Sequence, residues 1–439
     1  MNWLNVKIGV SAAYLAVFLF GMASFAEAAE GIDTQALYKE HCLACHGENR
    51  LGGVGPALLP ENLERLRKPE AVKVIRDSRP ATQMPPFADK LKAEEIQALA
   101  DYIYTPVLPA PVWGEAEIKA SQIVDTAALD LPNKPSAALK GADPMNLFIV
   151  VETGDHHVSV LDGDKLERIH RFPSRYALHG GPKYSPDGRF VYFASRDGWV
   201  TKYDLWNLKV VAETRAGLNT RNAAVSGDGK WVMVANYLPH TLVVLDAKDL
   251  SLSKIIPVVN AKGDKTSRVS AVYDAGPRKS FVAALKDVPE VWEISYDPNA
   301  EPVAEGLVHD FQYKEGDFKS AYFYPRRTIL KDYLDDFFFT QSYHEILGAS
   351  RSATKGQVIF LDGRKKIADL DLPGMPHLGS GITWLWKDAA GKERTVMASP
   401  NLNEGLITVI DLKTFENIKQ IKTRGPGFFM RSHENTRYA

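Results

Sequence analysis

Ser185-Pro186-Asp187-Gly188 leads into Arg189-Phe190-Val191-Tyr192-Phe193-Ala194, and after a polar break comes Val200-Thr201-Lys202-Tyr203-Asp204-Leu205. The two runs are short, rich in β-branched and aromatic residues and bounded by turn formers, so they read as the strands of a hairpin. The unit recurs. Ser226-Gly227-Asp228-Gly229 precedes Lys230-Trp231-Val232-Met233-Val234-Ala235 and Leu242-Val243-Val244-Leu245-Asp246. Asn146-Leu147-Phe148-Ile149-Val150-Val151 leads to Val158-Ser159-Val160-Leu161-Asp162, and later copies close on Val358-Ile359-Phe360-Leu361-Asp362 and Leu406-Ile407-Thr408-Val409-Ile410-Asp411. Tandem units of roughly forty residues with this alternation predict an all-β propeller. A single parallel-sheet domain is the alternative, and the lack of helical crossovers between the runs counts against it. The visible repeats stop before Arg437-Tyr438-Ala439 without a closing blade. The expectation is an incomplete C-terminal blade in a chain truncated at that end.

Upstream of the repeats the pattern is different. Thr105-Pro106-Val107-Leu108-Pro109-Ala110-Pro111 reads as a stiff, extended linker. Before it, His41-Cys42-Leu43-Ala44-Cys45-His46 is a C-x-x-C-H motif and holds the only two cysteines of the chain. Each thiol adds to a heme vinyl group, and one helical turn presents both sulfurs to the same porphyrin edge. His46 then coordinates the iron from below. Met84, in the proline-braced Arg79-Pro80-Ala81-Thr82-Gln83-Met84-Pro85-Pro86-Phe87, is the expected far ligand. A helix over Lys92 to Ile103, apolar at Ile96, Leu99, Ala100 and Ile103, completes an all-α, class I cytochrome c pattern. With both axial positions filled, this heme carries electrons and binds no substrate.

Lys7, the apolar run from Ile8 to Phe25 and the small-x-small Ala26-Glu27-Ala28 read as a cleaved signal peptide. An uncleaved anchor is the alternative, and either way the remainder is translocated, which predicts a periplasmic protein. The expected boundaries are 1–28 signal peptide, 29–105 cytochrome c domain, 106–145 linker and 146–439 propeller. The formal net charge is −1, with 24% charged residues, so nothing points to nucleic acid as a partner.

Most propeller histidines, among them His156, His157, His170 and His240, have no context that suggests chemistry. His179 does: Arg175-Tyr176-Ala177-Leu178-His179-Gly180-Gly181 puts a neutral imidazole, able to ligate iron, on an inter-blade loop. His377 lies in the glycine-rich Met375-Pro376-His377-Leu378-Gly379-Ser380-Gly381. His344 follows Phe339-Thr340-Gln341-Ser342-Tyr343, and His433 ends Phe428-Phe429-Met430-Arg431-Ser432-His433. Arg196, Arg221, Arg326 and Arg327 fall between strands. Their plain reading is solvated charge; the functional one is a basic cavity for a ligand with several carboxylates.

The CxxCH domain, the proline linker and a propeller with Tyr176-Ala177-Leu178-His179, Gly188-Arg189-Phe190, Ser195-Arg196-Asp197-Gly198-Trp199 and Asp204-Leu205-Trp206 together resemble the cytochrome cd1 nitrite reductase superfamily, over essentially the whole mature chain. The resemblance implies an eight-bladed propeller holding heme d1 non-covalently, beside one covalent heme c. It implies His179 as the proximal iron ligand, Arg196 and Arg221 as partners of heme d1 carboxylates, and the His377 loop on the distal side. Arg175 and Arg326 are further candidate cofactor contacts. Nitrite reduction in this family needs two distal histidines, and the first falls where this chain has Tyr324-Pro325-Arg326-Arg327. The resemblance is therefore nearer to the branch that oxidises dihydro-heme d1 to heme d1, the last step of heme d1 biosynthesis. There a propionate becomes an acrylate, a base takes a carbon-bound proton and electrons pass to heme c. His433 and His344 are the candidates for base and distal contact, with His377 in reserve. A tyrosine used by the family near the C-terminus is expected beyond Ala439. The resemblance also implies a periplasmic electron acceptor and a transient complex with nitrite reductase or other heme d1 maturation proteins. Nitrite reductase itself and a non-catalytic heme d1 carrier are the alternative functions.

Overall fold

The short helices of the N-terminal part pack by the periodicity that the sequence predicts. The computed structural model describes residues 31–80, 82–305, 317–349, 355–373, 376–432 and 438–439. The signal-peptide reading and His433 lie outside them. Helices Thr34–His41, Leu43–His46, Lys68–Asp77 and Ala93–Ile103 surround a core of Tyr38, Ile75, Phe87, Leu91, Ile96, Leu99 and Ala100. Ile96, Leu99, Ala100 and Ile103 are the buried face of Ala93–Ile103. The Glu95 carboxylate accepts the Lys92 backbone N–H at 2.7 Å, closing the first turn.

The far end of that helix is closed by a buried arginine. Arg50 is 2% exposed; it donates to the carbonyls of Tyr102 at 2.6 Å and Thr105 at 2.8 Å and lies 4.6 Å over the Tyr102 ring. Charge-assisted bonds to the last carbonyls of a helix are worth about 2 kcal/mol. An Arg50→Ala variant is expected to lose about that much, read as a lower urea midpoint when unfolding is followed by heme c absorbance.

Residues 105–111, read as a stiff extended linker, hold no helix or strand, whereas the rest of the 106–145 segment is folded. Beyond Pro111, the helix Glu115–Ser121 buries Ile118, the strand Ile123–Val124 pairs antiparallel with Lys209–Arg215, and Ala137–Leu139 buries Leu139. Trp113 donates its indole N–H to the Arg215 carbonyl at 2.9 Å. The prolines set the backbone at the start of the segment, and its apolar side chains then dock on the propeller.

From Leu147 onward the chain forms antiparallel sheets that meander from an inner to an outer strand. Six of them are described, the first of three strands and the rest of four, with Ile123–Val124 adding a fifth strand to the second. A separate two-stranded ribbon joins Val303–Glu305 to Asp317–Lys319. In the second sheet Phe190 pairs with Asp204 and Ala194 with Val200, as the quoted hairpin predicts. Apolar layers separate successive sheets. One layer, with Val158, Phe172, Phe193 and Tyr203, lies between the first and second; another, with Met233, Val244, Phe281 and Trp292, lies between the third and fourth. Face-to-face stacking in chain order is the packing of propeller blades. Eight blades were expected, and the described residues form six such sheets.

The aspartates that close each unit have a common task. Asp162, Asp204 and Asp411 each accept two backbone N–H groups of the following turn, and Asp246 accepts one, so the strand ends in a side-chain-capped turn. Asp362 departs from this and pairs instead with Arg278 at 2.7 Å.

Candidate functional site

The heme c cradle is built around one imidazole. His46 is 8% exposed, and its Nδ1–H donates to the Pro56 carbonyl at 2.9 Å. That bond fixes the tautomer and leaves the Nε2 lone pair for iron. Burial lowers the His46 pKa, which keeps the ring neutral. The Gly52–Pro56 loop must pass close to the ring: a Cβ on Gly55 would sit 2.9 Å from the imidazole Cε1. Cys42 precedes the helical turn Leu43–His46, and both cysteines are free thiols. Met84 shares an apolar cluster with Cys42, Leu43 and Phe87, and its carbonyl accepts the Ser78 hydroxyl at 2.6 Å. Cys42 and Met84 in one apolar cluster, Cys45 three residues on and the oriented neutral imidazole of His46 fit a covalently held heme.

A second site gathers at one end of the inner strands. His179 lies in the loop leading to the inner strand Lys183–Tyr184, Arg221 in the inner strand Asn219–Val225, Ser270 and Tyr273 in Val269–Ala275, and Asp336 begins Asp336–Phe339. His377 precedes Ile382–Lys387. His179 donates through Nδ1 to the Arg221 carbonyl at 2.7 Å, and Arg221 Nη1 lies over the imidazole, 2.7 Å from Nε2 and 3.1 Å from Nδ1. Burial, then the charges of Arg221, Arg196 and Arg65, push its pKa down to about 3. The imidazole is neutral at any physiological pH, which is what iron ligation requires. Arg196 is half-buried near Arg221, and desolvation pushes its pKa down to about 10. Two neighbouring guanidiniums with no carboxylate bridging them among the described residues are complementary to an anionic ligand.

A narrow cavity is lined by Arg65, Arg221, Tyr237, Ser270, Lys286, Asp335, Asp336 and His377, among others. A wider, more open cleft is walled by Tyr184, Tyr273, Phe337, Phe339 and Gly381. The walls are joined where the Tyr273 hydroxyl donates to Asp336 at 2.8 Å. Asp336 also lies 3.6 Å from His377 Nε2, and His377 Nδ1 meets the Ser380 hydroxyl at 2.9 Å. Ser380 orients the ring, and Asp336, beyond hydrogen-bond distance, places negative charge beside its other nitrogen at the cavity wall.

The CxxCH part docks on this same propeller. Arg215 donates to the Leu51 carbonyl, Asn62 to the Leu218 carbonyl at 3.1 Å, and Gln83 to the Asp155 carbonyl at 3.2 Å. Glu64 pairs with Arg268 at 2.6 Å. Gln83 neighbours Met84, and Leu51 begins the loop that holds His46.

The structure brings His179, Arg196, Arg221 and His377 to one end of the inner strands, and it places other expected residues differently. Arg175 is committed to Glu213 and stacks 3.8 Å from the Trp199 ring, so it is not free for a ligand. His344 follows the opposite end of the strand that Asp336 begins; it is 55% exposed and bonded to Asp362 at 2.5 Å. Arg326 lies on Pro325–Ile329, the outermost strand of its sheet, between Glu293 and the Asp362 carbonyl. That placement corrects the reading of Tyr324–Arg327 as a distal-pocket position, because an outer strand does not reach the cavity. Asp336, Tyr273 and Arg65 were missed. Nothing in their local sequence marks them, since each acquires its meaning from a partner on another blade or domain.

Residues 142–439 match the cytochrome D1 heme domain family, and residues 29–103 match the cbb3-type cytochrome c oxidase subunit III family. The chain is 55% identical to the dihydro-heme d1 dehydrogenase of Pseudomonas aeruginosa over 92% of its own length and 76% of that protein. It is 23% identical to the nitrite reductase of Stutzerimonas stutzeri over 92% of its length and 73% of that protein. It superposes with a TM-score of 0.80 at 54% identity on the solved structure of dihydro-heme d1 dehydrogenase NirN in complex with DHE, covering 92% of this chain and 80% of that one.

Proposed function

Because the chain belongs to the cytochrome d1 heme domain family, we propose that it oxidises dihydro-heme d1 to heme d1 as a periplasmic c-type cytochrome. The observation that carries this reading is the neutral His179, flanked by Arg196 and Arg221, at the end of the propeller where the CxxCH domain docks. His179 would take the substrate iron, and the arginines its carboxylates. Converting a propionate CH2–CH2 to an acrylate CH=CH releases two electrons and two protons. His377, oriented by Ser380 and beside Asp336, would accept one of the two carbon-bound protons, and the other would pass to solvent. Heme c, held by Cys42, Cys45, His46 and Met84, supplies a one-electron acceptor. A soluble periplasmic acceptor would then drain the protein, and transient contact with nitrite reductase would deliver the product.

Anaerobic incubation with dihydro-heme d1 tests the reading. The expected result is the heme d1 spectrum and the acrylate product by mass spectrometry, with no nitric oxide when nitrite and a reductant are supplied. Nitric oxide formation would favour the reductase instead, and uptake without conversion would leave a carrier.

A further inference from the structure

We infer that Arg65, carried by the CxxCH domain, binds a carboxylate of the tetrapyrrole seated on the propeller, so that the substrate site is completed by both domains. The inference rests on the functional reading above and adds a residue to its substrate site.

Arg65 stands in the wall of the narrow cavity together with Arg221, Tyr237 and His377. It is the cavity residue that comes from the CxxCH domain. Its charge reaches both His179 and Arg196. Two other cations nearby are already committed. Lys286 pairs with Asp335 at 3.1 Å, and Arg268 is shared between Asp287 at 2.7 Å and Glu64 at 2.6 Å. Among the described residues Arg65 has no carboxylate partner, although it faces other guanidiniums. Like charges gathered at a cavity wall are unfavourable until an anion enters.

The backbone on either side of Arg65 is fixed. Glu64 is tied to Arg268 on the propeller, and the Leu66 carbonyl accepts the Tyr104 hydroxyl. The side chain of Arg65 is exposed at the cavity rim, and the backbone that carries it is anchored, which reduces the ordering cost of binding. The planar fork of arginine suits a carboxylate in two parallel hydrogen bonds, whereas lysine offers only a point charge. A carboxylate bridging Arg65 and the propeller arginines would also hold the CxxCH domain to the occupied propeller.

The test is a spectral titration of the full chain, loaded with heme c, by dihydro-heme d1. Arg65→Ala is expected to raise Kd by about tenfold, and Arg65→Lys to restore part of that loss. The heme c spectrum and midpoint potential stay unchanged in both, which separates the effect from misfolding. With the methyl-esterified tetrapyrrole, native protein and Arg65→Ala should bind alike. Equal Kd values for the acid form would overturn the proposal, as would an equal loss for acid and ester. If the unaltered protein takes up no tetrapyrrole, the functional reading itself fails and this inference with it.

Discussion

His179→Ala is expected to weaken tetrapyrrole binding by at least ~100-fold, since it removes the iron ligand and not merely a neighbour of it. The geometry gives this position a single task. Nδ1 is occupied by the Arg221 carbonyl, so only Nε2 is available to a metal. Arg221 Nη1 lies over the ring, 2.7 Å from Nε2 and 3.1 Å from Nδ1, so a metal at Nε2 requires the guanidinium to shift. A carboxylate on the incoming ligand gives the guanidinium its new partner. The pH dependence follows from the shift. An ordinary imidazole with a pKa of about 6.5 would be ~97% protonated at pH 5 and bind iron ~30-fold more weakly there than at pH 8. His179 is held near 3 by burial and by Arg221, so binding should be flat from pH 5 to pH 8. The sign for stability is the opposite of a salt-bridged histidine. Below pH 6.5 the unfolded chain binds a proton that the folded one refuses, so His179 costs stability as pH falls from 6.5 toward 3. A binding curve that collapses between pH 7 and pH 5, or a His179→Ala protein with the native spectrum of bound tetrapyrrole, would contradict this assignment.

His377→Ala should leave binding within a few-fold and lower turnover by about 10²- to 10⁴-fold, the usual cost of losing a positioned base. Asp336→Asn should lower turnover less. It keeps the shape of the group beside His377 Nε2 and the acceptor for Tyr273, but it loses the charge that favours the imidazolium formed on proton transfer. The pair distinguishes a chemical role from a packing role, because a packing role would register in Kd for both variants. Turnover of His377→Ala at the native rate would move the base to another group, and His433 would be the next to test.

The parts of this molecule that the sequence makes readable are those whose partners are near in the chain. The CxxCH turn, the Ile96–Ile103 stripe and the strand-closing aspartates are all local patterns. Each was found where its spacing put it, because backbone geometry alone fixes such neighbours. The axial site is different. Tyr273 and Asp336 are 63 residues apart and meet only because their blades are adjacent. Arg65 reaches the cavity only because Glu64 and Asn62 dock their domain on Arg268 and Leu218. His344 and Arg326 look functional beside aromatic and basic neighbours, yet the meander puts one past the far end of its strand and the other on a blade's outer edge. Which end of a strand faces the cavity cannot be read from alternation, since both ends have the same pattern. The docking of residues 112–145 is hidden for a related reason: the prolines of 105–111 signal stiffness, but Trp113, Ile118 and Leu139 find apolar partners far away in the propeller.

Anaerobic rapid mixing of the ferric protein with dihydro-heme d1 bears most directly on the central claim, that the substrate on the propeller gives its electrons to the docked cytochrome. Each conversion releases two electrons and each chain holds one heme c. The prediction is two heme c groups reduced for every heme d1 formed when no other acceptor is present. Heme d1 accumulating while heme c stays ferric would contradict it.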